Sequence, residues 1–437
     1  MPMSQTARSP FAPGAGKEPP AFVGRETELA TFDEMLDDLH GNSRNLTVLG
    51  LRGVGKTVVL RHFVQKAKDA GVVAVRRELI GTITKQEKFE QVMLTDAEKA
   101  LRELSVAHRV GQRVGDAVKV ALASVQASVQ FALDPTASVS VGIHPDITTR
   151  TAPFEDRLTA LFTKMGEIAA KTGRGVVFMY DEGQLTRVRK SPQESTLAQL
   201  LHAISQVQSE NLPVGIVLIG LPPLAGIIKA AKSNSERLVI DDIVIGNLSQ
   251  EAAIAALEKP AADSGLPFQR GLAAQVAEDC DRYPYFLQMY GDQAWRTAQR
   301  EGATRITPRH YLESRALTQE RLDRTFYEAR FNDRSQGLER AVLSAIGVGG
   351  KEGAQTQEVI VMLMEKGLVA DRAVVDNAIA KLVEEDVVYR EGYGELRFTA
   401  PGFGKFLDRA HPFEREVETV LKTRKVRTRP VLRTFGQ

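Results

Sequence analysis

The sequence predicts an α/β fold with a parallel sheet covered by helices on both faces, and three stretches carry that prediction. Leu46 to Leu60 reads as a short apolar strand, a glycine-rich loop and a helix start. Gly175 to Glu182 and Val214 to Gly220 are continuous apolar runs of strand length. Such runs mark strands buried on both faces of a parallel sheet. Helical periodicity fills the segments between them, so the strands are joined by crossover helices.

Taken in order, Met1 to Pro20 is rich in Pro, Gly, Ala and Ser without periodicity and reads as a disordered leader. A helix follows Phe22-Val-Gly-Arg-Glu, with Leu29, Phe32, Met35, Leu36 and Leu39 on one face. After the glycine-rich loop, Lys56 to Ala70 is helical and Val72 to Val75 is a second strand. An insert of about 84–150 comes next: its first part is helical, and the alternation across Ala127 to Ile143 suggests a hairpin. Phe154 to Ala170 is an amphipathic helix leading into the Gly175 strand. A helix through Leu197 to Val207 leads to Val214, and Ser235 to Ile240 starts a further strand. Residues 249–320 read as all helical. From Leu338 to Arg409, three helices precede the strands Val387 to Arg390 and Leu396 to Thr399, the order of a winged helix.

Composition bounds the function. The 437 residues suit two or three domains, and 43% hydrophobic with 26% charged residues is globular. A net charge of +2 demands no polyanionic partner. The single cysteine, Cys280, rules out an intrachain disulfide and a cysteine zinc site, and makes the cytoplasm the default location. The seven histidines are scattered without metal-ligand spacing. No run reaches the roughly 18 apolar residues of a membrane span, and the start has no apolar signal region.

The chemistry concentrates in two places. Gly50, Gly55, Lys56 and Thr57 fit G-x-x-x-x-G-K-[ST], in which backbone N–H groups and a helix N-terminus cradle a polyphosphate. Lys56 would reach the β- and γ-phosphates and Thr57 would bind Mg²⁺. At the end of the Gly175 strand, Asp181 would hold Mg²⁺ and Glu182 would act as general base on the attacking water. The bland alternative is a strand end whose two acids are simply solvated.

The C-terminal unit is a poor candidate for reading DNA by charge. Leu338 to His411 holds nine bases and twelve acids, a net −3. Its presumed recognition helix, Arg372 to Glu385, has two bases and three acids. The end, Leu421 to Gln437, is different, with six bases and no acid. It would track phosphates, fold on an acidic partner, or stay solvated.

Phe22-Val-Gly-Arg-Glu, the phosphate loop, Asp181-Glu182, Gly220-Leu-Pro, Ser235-Glu-Arg and Tyr283-Pro-Tyr-Phe-Leu-Gln occur in one order. In that order the chain resembles prokaryotic AAA+ ATPases related to replication initiators and to STAND signalling ATPases. The resemblance spans Phe22 to Arg409. It implies an AAA+ domain over 21–248, a helical lid over 249–320 and a winged-helix domain over 321–412; the leader 1–20 and the basic tail 413–437, read from composition, lie outside it. It also implies an adenine pocket from Phe22, Val23, Gly24 and Arg25 with Pro284 of the lid. The nucleotide phosphates would lie on Gly50, Gly53, Val54, Gly55, Lys56, Thr57 and Val58. Arg237 falls where an arginine finger would project into a neighbouring copy, the alternative being a surface ion pair with Glu236 or with a lid residue. Gly220 stands where many members carry a polar γ-phosphate sensor, and it has no side chain to sense with. The implied activity is Mg²⁺-dependent ATP hydrolysis that drives conformational change or assembly. The alternatives are an ATP-regulated DNA-binding protein and a slow-turnover signalling switch.

Overall fold

In the computed structural model, the described residues are 8–14, 16–80, 86–106, 153–186, 195–232, 238–333, 335 and 337–427. Five parallel strands form the central sheet, in the order β2-β3-β4-β1-β5. They are β1 (Asn45–Leu49), β2 (Val73–Glu78), β3 (Val176–Asp181), β4 (Val214–Gly220) and β5 (Ile240–Val244). β1, β3 and β4 are buried along their whole length, including the polar Asn45 and Thr47 of β1 and Asp181 at the end of β3. Leu49 pairs with Gly220 of β4 and Val244 of β5, so the ends of β1, β4 and β5 lie level. The site is built at those ends. β5 begins at Ile240, later than the Ser235 start expected from sequence, and its burial is partial, as befits an edge strand.

Helices α1 (Glu26–Asp37) and α2 (Lys56–Asp69) cover one face of the sheet. Phe32, Met35, Phe63 and Ala67 pack there with Val48, Val177 and Val217. The other face is covered by α3 (Gln86–Val106), α4 (Phe154–Lys171), α5 (Thr196–Ser209) and α6 (Pro223–Ala231). Their buried Met93, Leu101, Phe162, Leu200 and Ile204 meet Val75, Phe178 and Ile216. The helix expected at the start of the insert is therefore α3, which joins the main core. The hairpin expected over Ala127 to Ile143 lies outside the described residues.

Four helices follow: α7 (Gln250–Asp263), α8 (Leu272–Asp279), α9 (Pro284–Arg300) and α10 (Pro308–Leu322). Three of the four starts have a local cause in a cap or a proline. Ser249 Oγ accepts the Ala252 N–H at 3.1 Å, and proline occupies the first turn of α9 and α10, where no N–H is needed. A π-turn, Asp323–Tyr327, links α10 to α11 (Glu328–Asp333). The C-terminal unit is α12 (Leu338–Ile346), β6 (Gly353–Gln355), α13 (Thr356–Glu365), α14 (Arg372–Glu384), β7 (Val388–Glu391), β8 (Glu395–Phe398) and α15 (Phe403–Ala410). Its three strands form an antiparallel sheet in the order β6-β8-β7. One continuous core joins this unit to the four helices before it, and the aromatic link is Tyr285 on Phe326, with ring centroids 4.9 Å apart, and Tyr327 on Phe406, at 5.1 Å.

Two expectations at the chain ends need correction. The leader is not disordered throughout: Phe11 is buried against Gly291 of α9, and the Ala12 N–H donates to Gln288 Oε1 at 3.1 Å. One aromatic anchor suffices to dock a Pro/Gly-rich segment that has no periodicity of its own. At the other end, the region read as a basic tail opens with α16 (Phe413–Arg427), whose Phe413, Val417 and Val420 are buried in the C-terminal core. The apolar spacing 413, 417, 420 is helical and was outweighed in the sequence reading by the basic run that follows. Phe11→Ala is expected to raise the rate of proteolysis ahead of Ala21 by about tenfold, because one aromatic anchor carries most of the docking free energy. Limited proteolysis beside a melting curve checks this, and an unchanged cutting rate would contradict the anchor.

Candidate nucleotide site

β1 runs straight into the loop Gly50–Gly55, and α2 begins at Lys56. Gly53 and Gly55 take φ values of 89° and 100°, which side-chain-bearing residues rarely adopt. That conformation lets the chain turn back so that Lys56, with only 8% of its surface exposed, sits inside the loop. Its Nζ donates to Gly50 O at 2.8 Å and to Leu51 O at 3.0 Å. Burial pulls the Lys56 pKa down from 10.5 to about 8, although the Glu182 and Asp181 carboxylates act to raise it.

Thr57 follows on α2, and its Oγ1 donates to Asp181 Oδ2 at 3.1 Å. Asp181 closes β3, next to β4 in the sheet, and is buried. Burial, with Glu182 adjacent, holds its carboxyl above the usual carboxylate range. Glu182 is a non-glycine residue with φ 58°, and its N–H donates to Asp181 Oδ1 at 2.9 Å. This left-handed turn sends its side chain to the wall of the cavity.

The cavity has a volume of about 300 Å³. Of the residues singled out by sequence, Phe22, Val23, Arg25, Gly53, Val54, Gly55, Lys56, Thr57, Val58, Glu182 and Pro284 line it. Gly50 and Asp181 stand one layer behind, as acceptors for Lys56 and Thr57. Gly24 faces α7, where a Cβ would lie 2.5 Å from that of Ala252. Arg237 lies outside the described residues. Arg282, just ahead of α9, is exposed and does not line the cavity.

Three groups of wall residues were missed by the sequence reading. The leader supplies Ala12, Gly14, Gly16, Lys17 and Pro19, and Glu18 pairs with Arg61 and His62 of α2 at 3.2 and 3.1 Å. The π-turn and α11 supply Thr325, Phe326 and Arg330, the last with its guanidinium 4.2 Å from the Phe326 ring centroid. Arg52 is the third. Its backbone N–H donates to Thr399 O at 3.2 Å, its carbonyl accepts from the Tyr283 hydroxyl, and its guanidinium lies 3.9 Å from Glu182 and 3.8 Å from Asp386. The first two groups carry no motif, and the packing of Phe11 and Phe326 brings them to the site; Arg52 occupies a variable position of the loop pattern.

Arg25 is a structural member of the site. Its buried guanidinium donates to Val54 O at 3.0 Å, Gly246 O at 2.7 Å and Glu28 at 3.1 Å, so it ties the phosphate loop to the chain after β5. Arg25→Ala leaves buried acceptors unpartnered and is expected to cost roughly 2 kcal/mol or more. Thermal unfolding should fall by several degrees, with weaker nucleotide binding; an unchanged melting temperature would count against the bracing role.

The donor set suits a hard divalent cation: Thr57 Oγ1 and Asp181 Oδ2 are neighbouring oxygens, and a carboxylate kept partly desolvated gains from a positive charge. Among the described residues no cluster of three or more His, Cys, Asp or Glu could hold a metal by itself. Magnesium bound largely through phosphate and water needs none. No helix among the described residues is long and apolar enough to cross a membrane. Cys280 is buried, and burial pushes its thiol well up, so it is inert.

Residues 21–218 match the family described as AAA ATPase domain, and residues 324–407 match a domain of unknown function (DUF8462). No curated protein gives a significant match to the chain. Among solved structures, the chain is similar to a Walker-type ATPase of Pyrococcus abyssi, with 16% identity and a TM-score of 0.52 over 89% of this chain and 96% of that one. It is also similar to the ORC2 protein of Aeropyrum pernix in its ADPNP-ADP complexes, with 14% identity and a TM-score of 0.51 over 94% and 97%. At these identities the likeness speaks for the fold: a P-loop sheet, a helical region and a small antiparallel sheet in one order. Residues 21–218 thus carry the match to an AAA ATPase domain, and the chain as a whole shares its fold with these solved ATPase and ORC2 structures.

Proposed function

We propose that the chain binds ATP in this cavity and hydrolyses its γ-phosphate with Mg²⁺, using the cycle to change its conformation or assembly. The observation that carries the reading is the convergence of Lys56, Thr57, Asp181 and Glu182 at the ends of β1 and β3. Phe22, Val23 and Pro284 form an apolar wall suited to adenine. Lys56 neutralises charge on the β- and γ-phosphates. Glu182 accepts a proton from water as the water oxygen attacks the γ-phosphorus; the bond to the β–γ bridging oxygen breaks and ADP leaves. Magnesium, held by Thr57 and Asp181, would neutralise the charge that develops on the bridging and γ oxygens.

We assign to Arg237 the role of a finger reaching a neighbouring copy, which makes turnover dependent on protein concentration. The C-terminal unit has the element order of a winged helix, and protein docking suits its surface better than DNA. The two bases of α14 are already paired, Arg372 with Asp376 at 3.3 Å and Lys381 with Glu339 at 2.9 Å. The test is phosphate release from Mg-ATP over rising protein concentration, with nucleotide binding measured in parallel and DNA added as a separate arm. Turnover per chain that rises with concentration supports both parts of the reading. Tight binding without phosphate release at any concentration favours a slow-turnover switch instead.

A further inference from the structure

Gly220 ends β4 beside the Asp181 end of β3, and a Cβ there would lie 2.5 Å from Gln184 Oε1. The space that a side chain at 220 would take is therefore filled by the carboxamide of Gln184, from the turn Gly183–Thr186. That carboxamide is buried, with 3% of the residue exposed. Its Oε1 accepts the Leu221 N–H at 3.1 Å, which fixes its orientation. Its Nε2 donates to Glu182 Oε2, and Asp386 Oδ2 of the C-terminal unit lies 3.4 Å from the same nitrogen. Arg52 Nη1 approaches the other Glu182 oxygen at 3.9 Å and also reaches Asp386. Asp386 is itself buried, at φ 54°, between α14 and β7.

From this geometry we infer that Gln184 is the positioning residue for Glu182, that Gly220 is glycine to admit it, and that Asp386 ties the pair to the C-terminal unit. The inference rests on the ATPase reading above. A carboxylate acting on water has to be held in one rotamer. Here the side chain that holds it comes from the neighbouring turn, with its donor end shared with the C-terminal unit. Movement of that unit would thereby be felt at the hydrolytic water.

The test uses the full chain and compares steady-state Mg-ATP turnover and nucleotide affinity for Gln184→Ala, Gln184→Glu, Gly220→Ala and Asp386→Asn. Gln184→Ala is expected to lower kcat about tenfold with KM within about twofold. Gln184→Glu keeps the shape but removes the donor, and should lose at least as much. Gly220→Ala displaces the carboxamide and should resemble Gln184→Ala, although residue 220 bears no functional group. Asp386→Asn should lower kcat less, by about threefold. Wild-type kcat in both Gln184→Glu and Gly220→Ala would overturn the inference, as would a faster Gln184→Ala or a loss seen in KM alone. If the wild-type chain itself turns nothing over, it is the ATPase reading that fails, which the wild-type arm shows separately.

Discussion

Lys56→Ala is expected to remove nucleotide binding while leaving the empty protein as stable as before, or more so. The two halves have one cause. Lys56 is buried against two backbone carbonyls with its pKa at about 8 rather than 10.5, so folding the empty chain desolvates a charge. At roughly 1.4 kcal/mol per pH unit the penalty at neutral pH is on the order of 3 kcal/mol. Because the folded value is the lower one, the penalty is full below about pH 8 and fades as pH rises toward 10.5. The stability of wild type relative to Lys56→Ala should therefore climb between those limits. The comparison with the variant cancels the buried tyrosines, whose raised pKa values pull the other way at high pH. A bound polyphosphate supplies what the empty site lacks, and charge-assisted hydrogen bonds to it are each worth about 1.5–3 kcal/mol. The variant should lose at least ten- to hundredfold in affinity, and wild-type affinity should weaken as pH passes about 8. Titration of nucleotide against melting temperature at pH 7 and pH 9 checks all of this. A nucleotide-induced shift that survives in Lys56→Ala would show that the ligand sits elsewhere.

The loop between β1 and α2 was readable because its conformation dictates its local sequence: positive φ at two positions needs Gly53 and Gly55. The β3 end stands out for a local reason as well: a fully buried strand closes on Asp181, with Glu182 next to it. What was not readable comes from non-local packing. Phe11 reaches Gly291 only because α9 stands where it does, and so the leader becomes a wall of the site. Arg52 stands at a position the loop pattern leaves open, yet its main chain is held by Thr399 and Tyr283 from two different parts of the chain. Gly220 showed only a missing side chain. Its neighbour Gln184, 36 positions earlier, carries no pattern that would connect the two before the sheet is assembled.

Glu182→Gln should bind nucleotide within a few-fold of wild type and release phosphate about 10² to 10⁴ times more slowly, the usual contribution of a positioned general base. The substitution keeps the size of the side chain, so the Asp181–Thr57 pair behind it should be unaffected. Its backbone setting predicts the same separation of effects. At φ 58° the residue occupies a region that costs about 1–2 kcal/mol for any residue with a Cβ, and glutamine bears that cost equally. Stability should therefore change little, and the loss should lie in kcat. The stalled variant with ATP and Mg²⁺ is then the form in which a nucleotide-dependent assembly persists, observable as a mass shift absent with ADP. Phosphate release at the wild-type rate would remove Glu182 from the chemistry, and the water would have to be activated by another group. A loss of binding equal to that of Lys56→Ala would place Glu182 in holding the nucleotide rather than cleaving it.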